Sequence, residues 1–279
     1  MITVKKSDDR TVIKCFGIKV RYTNKNYFHK IIRNLFLKLS SKILKFFSAF
    51  NFKKKKYDFI VPFGQNCETG MCLYYYFRSA DSTLFNYVGF GDNSFILPFL
   101  NDYSLIFSEG KNFKNGCWQC EYLKMLFHSR SRQDDLLDKK GNIDPCKLEE
   151  DFQELLSRTQ YLHEKTHNIL SSDKKKLILL TYKGNDEEFI HIKNIYEYIN
   201  DKNPNFDFLI IVRKNSDLPC LDDFNKQNEN VYVRKINHFI DFGDKNSYFD
   251  RIGWTKIFNE FQYKKVTKKS KKLKYDQIN

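Results

Sequence analysis

The sequence predicts an α/β protein: a small, mostly parallel sheet flanked by helices, with an N-terminal basic amphipathic helix ahead of it. Three observations lead there. Continuous apolar runs at 57–63, 176–182 and 207–213 read as strands buried on both faces, the pattern of a parallel sheet. Segments with apolar residues every three or four positions lie between them, as helices do in α/β units. With 279 residues, 41% of them hydrophobic and 29% charged, the chain has enough apolar material for a core, which excludes global disorder.

Taken in order, residues 11–22 alternate apolar and polar around Gly17 and read as a hairpin or strand. In 27–50, Phe28, Ile32, Leu35, Leu39, Ile43, Phe46 and Phe50 recur at helical spacing, with Lys30, Arg33, Lys38, Lys42 and Lys45 opposite. After the strand at 57–63, a Gly-containing turn leads into a helix starting near Asn66, its expected N-cap. A looser region to about 146 holds a short helix at 94–100 and the apolar stretches 84–90 and 124–130. Residues 147–170 form an amphipathic helix on Phe152, Leu155, Leu156, Leu162 and Ile169. A strand at 176–182, a helix at 187–200, strands at 207–213 and 231–236 and a last helix at 250–262 complete the body. The expected organisation is a basic hairpin and helix at 1–56, an α/β domain at 57–262 and a Lys-rich, disordered tail at 263–279.

The net charge of +14 suggests a nucleic-acid partner until its distribution is inspected. Residues 11–57 hold thirteen Lys or Arg and no acid, and 264–274 hold seven Lys and no acid. The body at 58–263 is left with a net charge of −6. An acidic body with basic ends is a poor match to a protein whose folded face tracks a phosphate backbone, so no specific nucleic-acid partner is expected. The basic helix instead suits an anionic membrane surface, with 27–56 as the docking element; a helix packed on the body with a solvated basic face is the plainer alternative. Seven unevenly spaced cysteines, a polar N-terminus and the lack of an 18-residue apolar window point to a reducing, cytoplasmic setting, at most peripheral to the inner membrane.

Cys67 is the strongest candidate for chemistry. A thiol in the first turn of a helix, directly behind a strand, meets free N–H groups and the positive end of the helix dipole. The plainer fate of a free cysteine is burial in the core. A thiol nucleophile needs a base. His29 lies in the basic segment, and His163, His167 and His191 sit at helix positions read as solvated, which leaves His128 and His238. Cys117 and Cys120 form a Cys-x-x-Cys without a second ligand pair, so they read as loop cysteines beside a packed Trp118. No metal or other cofactor is called for.

The segment IVPFGQNC (60–67), followed by an aromatic-rich helix and LFNYV (84–88), resembles a bacterial family described as papain-like cysteine peptidases. That family shows a strand ending in a Leu-Gly or Phe-Gly turn before a Cys, then a Phe-Asp-Trp-like motif and a later His. Toward the end it shows a strand, a helix, another strand and a Trp-containing segment, matched here by 176–189, 207–213 and DRIGW (250–254). The resemblance implies Cys67 as nucleophile and His128 as general base. It places Asn86 where the family has an acid, as the imidazole's orienting group in a Cys-His-Asn arrangement, with an ordinary turn or cap residue as the plainer alternative. Gln65 is a candidate oxyanion donor, with a role in the turn as the plainer reading. The implied chemistry is thiol acyl transfer on an unknown acyl or peptide substrate. Two rivals remain open. IKCFGIKVRY (13–22) is similar to the N-terminal segment of surface-polysaccharide glycosyltransferases and their locus neighbours, although no Asp-x-Asp is present. A non-catalytic membrane-surface binding protein is the other.

Overall fold

The computed structural model describes residues 2–7, 10–15, 18–22, 55–64, 67–77, 83–86, 88–90, 93–107, 112–114, 116–120, 125–129, 131, 133–184, 186–241, 247 and 249–263. The chain divides into two compact units, 1–53 and 54–279. In the first, β1 (Ile2–Ser7), β2 (Arg10–Cys15) and β3 (Ile18–Tyr22) form an antiparallel meander in which Cys15 pairs with Ile18. The expected hairpin is β2–β3, and β1 adds a strand that its short alternation did not reveal. The basic helix at 27–50, Gln65, Asn66 and the tail after residue 263 lie outside the described residues.

The second unit is α/β. Its elements in chain order are β4 (Lys55–Tyr57), β5 (Phe59–Phe63), α1 (Glu68–Phe77), β6 (Val88–Phe90), α2 (Ile96–Asn101), β7 (Asn112–Lys114), β8 (Cys117–Cys120) and β9 (Met125–His128). There follow α3 (Pro145–Ser171), β10 (Lys176–Thr181), α4 (Phe189–Lys202), β11 (Phe206–Arg213), α5 (Pro219–Gln227), β12 (Val231–Ile236), α6 (Arg251–Phe258) and β13 (Phe261–Tyr263). The central sheet is wholly parallel, in the order β12-β11-β10-β5. Strand parity divides its side chains between two cores. Val61, Phe63, Ile178, Leu180, Phe208 and Ile210 face α3, α4 and α5. Ile60, Leu177, Leu179, Leu209 and Ile211 face α1 and α6. Every residue of β10 is buried, and its inner four, Leu177, Ile178, Leu179 and Leu180, read as a continuous apolar run.

Two expectations change here. The last helix ends at Phe258, and residues 261–263 form β13, which pairs in parallel with β4. The region called loose holds a second, antiparallel sheet in the order β6-β9-β8-β7, and the stretch 124–130 contains its strand β9. These strands are only three or four residues long, too short for periodicity to report. Their inner residues Val88, Trp118, Cys120, Met125 and Phe127 join the core under α3. At the amino end of the main sheet, Asp207 accepts from the Tyr57 hydroxyl at 2.5 Å and pairs with Lys55 and Lys175, fastening β4 to β11.

The connections set the position of the site. The helix after β5, α1, covers one face, whereas the helix after β10, α4, covers the other. Adjacent parallel strands whose chains depart to opposite faces leave a crevice at their carboxyl ends, where α/β proteins bind ligands. Cys67, at the start of α1 just after β5, lies at that end of the sheet.

Candidate functional site

Cys67 is the N-cap of α1: its carbonyl accepts the first helical bond from Met71 N at 2.9 Å. The helix begins one residue later than expected, so the thiol is carried by the capping residue itself. Its side chain is 8% exposed. Burial pushes the Cys67 thiol up to about 11, the adjacent Glu68 carboxylate and Cys117 push in the same direction, and Lys183 opposes them. The resting thiol is therefore protonated at neutral pH, contrary to what a helix N-terminus alone would give.

Glu68, the acid in the first turn of α1, does more than meet the helix dipole. It has no exposed surface. Its Oε1 accepts from Trp254 Nε1 and its Oε2 from Ile240 N, both at 3.0 Å. Burial raises its carboxyl to about 7, against the hydrogen bonds from Trp254 and Ile240 and the charge of Lys183. This pair joins the GQNCE segment to the DRIGW segment across the sheet end, so two separate stretches of sequence meet at one buried carboxylate. A carboxyl titrating near neutrality in a crevice is the kind of group that functional sites collect.

Lys183 and Arg213 complete the rim. Thr181 pairs with Ile211; Lys183 follows β10 by two residues and Arg213 ends β11, so both lie at the carboxyl ends of adjacent strands. Burial lowers the Lys183 ammonium; Glu68 and Asp241 support its charge and Arg213 works against it. Its Nζ lies 5.2 Å from the Phe239 ring centre.

His128 ends β9 directly opposite Cys117 on β8. Its Nδ1 is 3.6 Å from Cys117 Sγ, and no hydrogen bond joins it to Cys67. Burial lowers the imidazole and raises the Cys117 thiol, so the two rest as a neutral pair. Cys117 and Cys120 lie on a strand rather than in a loop, and three residues along a strand puts them on opposite faces. Cys120 is buried with Trp118, whose Nε1 donates to Asp151 at 2.8 Å. His238, the other histidine singled out, is half-buried in the segment after β12.

No known protein family, curated protein or solved structure matches this chain.

Asn86 is buried, and its Oδ1 accepts from Thr83 N at 2.7 Å and Thr83 Oγ1 at 2.6 Å. Its carboxamide oxygen thus serves the turn before β6 rather than an imidazole. Asn86 still bears on Cys67, because its main chain lies against the first turns of α1. A Cβ on Gly70 would come within 2.7 Å of Asn86 O and 3.1 Å of Asn86 Cα. Gly70→Ala is expected to destabilise the protein by about 1–3 kcal/mol despite alanine's better helix propensity, because main chain must move to admit the methyl. An unchanged urea midpoint would refute this packing.

The remaining histidines also differ from expectation. His163 and His167 are half-buried rather than solvated, and both ring nitrogens point at the carbonyl of Leu100. Cys117, Glu68, Lys183 and Trp254 are the groups that sequence reasoning did not assign to the site. For Trp254 a signal existed in the DRIGW segment, but for Glu68 and Lys183 the signal is the meeting of distant segments.

Proposed function

We propose that this chain is a thiol acyl-transfer enzyme of the peptidase type, with Cys67 as nucleophile and His128 as the base that takes its proton. The observation that carries this reading is the position of Cys67 as the N-cap of α1, at the crevice between β5 and β10. The N–H groups at a helix's amino end point toward the residue that caps it, here Cys67, where a carbonyl oxygen would gain charge as sulfur attacks. A thiol held up at about 11 needs a base. His128 is neutral near pH 7, and its partner Cys117 lies close enough to Cys67 to raise it. In the resting arrangement His128 touches Cys117, so engaging Cys67 requires the imidazole to leave that contact.

The test is acylation by an activated ester, with the modified cysteine located by mass spectrometry. The expected result is a burst of acylation at Cys67 that is absent in Cys67→Ala and retained in Cys117→Ala. His128→Ala should slow it by roughly 10²–10⁴-fold, the usual worth of a positioned base. Acylation at Cys117 instead, or an equal rate in His128→Ala, would overturn the assignment. On the same reading the basic 27–56 segment brings the enzyme to anionic lipid at the cytoplasmic face of a membrane. What supports that is its run of cations without an acid. Among the described residues no helix is long and apolar enough to cross a membrane.

A further inference from the structure

We propose that His163, His167 and the main-chain carbonyl of Leu100 form a binding site for one divalent first-row transition-metal ion, distinct from the crevice at Cys67. The two histidines are four residues apart on α3 and so lie one above the other on a single face. Their Nε2 atoms are each 2.7 Å from Leu100 O and 3.2 Å from one another. A circle through three atoms so spaced has a radius of roughly 1.7 Å, shorter than the ~2.1 Å bond between zinc and an imidazole nitrogen. One ion can therefore touch all three atoms from just outside their plane.

Each ligand atom is held by structure that does not depend on an ion. Leu162, Thr166 and Ile169, interleaved with the histidines, are buried and fix the roll of α3. Thr166 Oγ1 also accepts from Leu84 N at 3.0 Å, and the Tyr103 ring packs against His163 with centres 5.0 Å apart. Leu100 lies in the last turn of α2, where a carbonyl has no helical partner and is free to be presented. Without an ion, the Nε2–H groups can donate to Leu100 O, whose two lone pairs accept both; with one, those protons leave and both nitrogen lone pairs bind the metal.

The ligand set selects the metal. Imidazole nitrogens suit zinc, nickel and copper, whereas calcium and magnesium take oxygen ligands. Among the described residues no three His, Cys, Asp or Glu side chains converge, so the coordination is completed by the carbonyl and by water, leaving the ion accessible.

The experiment titrates the reduced full-length chain with Zn²⁺, Ni²⁺ and Cu²⁺ in turn against a chromophoric chelator. His163→Gln and His167→Gln keep an N–H donor for Leu100 O, so the end of α2 stays capped while a ligand nitrogen is lost. Wild type is expected to bind one ion per chain, with Cu²⁺ the tightest of the three. Each Gln variant should bind roughly tenfold or more weakly, at least what losing an outer-shell partner costs a metal site. His191→Gln should bind as wild type does, and the unfolding temperature should rise with the ion only where both His163 and His167 remain. No binding by wild type would overturn the site. So would equal binding by the double Gln variant, which would place the ion on cysteines and leave the imidazoles as a helix cap.

Discussion

Asp250→Ala is expected to cost about 3–4 kcal/mol of folding stability, because one buried carboxylate serves three donors in two segments. Its Oδ1 accepts from Gly253 N at 3.0 Å, capping α6. Its Oδ2 accepts from Asn237 N at 2.7 Å and Asn237 Nδ2 at 2.9 Å, tying the chain after β12 to the start of that helix. Asp250 is 5% exposed, so solvent cannot replace it without the segments parting. For a domain of this size the loss corresponds to a fall of roughly 10 °C in Tm. Gly253 tests the same contact from the other side. A Cβ there would come within 2.4 Å of Asp250 Oδ2 and 3.0 Å of Ile236 Cγ2. The double variant Asp250→Ala/Gly253→Ala should therefore cost less than the sum of the two single costs, since removing the carboxylate clears the methyl's space. A Tm within about 2 °C of wild type for Asp250→Ala would mean these bonds contribute little. The site is involved as well, because α6 carries Trp254 and so one of the two donors to Glu68.

How much of this was legible in the sequence follows from which forces are local. The strands β5, β10 and β11 announce themselves, because burial on both faces demands unbroken apolar runs such as 176–182. The helix α3 does so through Phe152, Leu155, Leu162 and Ile169, one face repeated over many turns. Helix α5 and the short antiparallel strands carry no comparable signal, since β8 is the four residues Cys117–Cys120 and is held by Trp118, which packs on Phe152 and donates to Asp151, 33 residues away in the chain. Cys67 was visible because its position, a strand followed by a helix start, is itself a local pattern. The thiol's actual environment was not. The desolvation that raises it, and the proximity of Cys117 and Lys183, arise from segments that meet only in the fold. For the same reason the sequence leaves Asn86 between an orienting group and a turn residue, and only the fold, which binds its Oδ1 to Thr83, favours the turn.

Glu68→Gln should reverse sign with pH, and it probes both stability and the thiol. The Glu68 carboxyl titrates near 7 in the folded protein against 4.5 for the free group. Between those values the folded chain holds a proton that the unfolded chain has released, so this group's contribution to stability falls as pH rises from about 4.5 to 7 and is flat above. At 1.36 kcal/mol per unit, the fall amounts to roughly 3 kcal/mol. Glutamine removes that titration. Its Oε1 can still accept from Trp254, but its amide nitrogen would meet Ile240 N, a mismatch costing about 1–2 kcal/mol at every pH. Near pH 5 the variant should therefore be the less stable protein, and near pH 8.5 the more stable one. Comparing variant with wild type at each pH by urea unfolding cancels the other titrating groups. Parallel pH profiles for the two proteins would show that Glu68 is already ionised at little cost. The substitution acts on chemistry through the same charge: the Glu68 carboxylate is one of the groups holding the Cys67 thiol up. Above pH 7, then, Glu68→Gln should make Cys67 react faster with iodoacetamide than in wild type, and below pH 5 the difference should vanish.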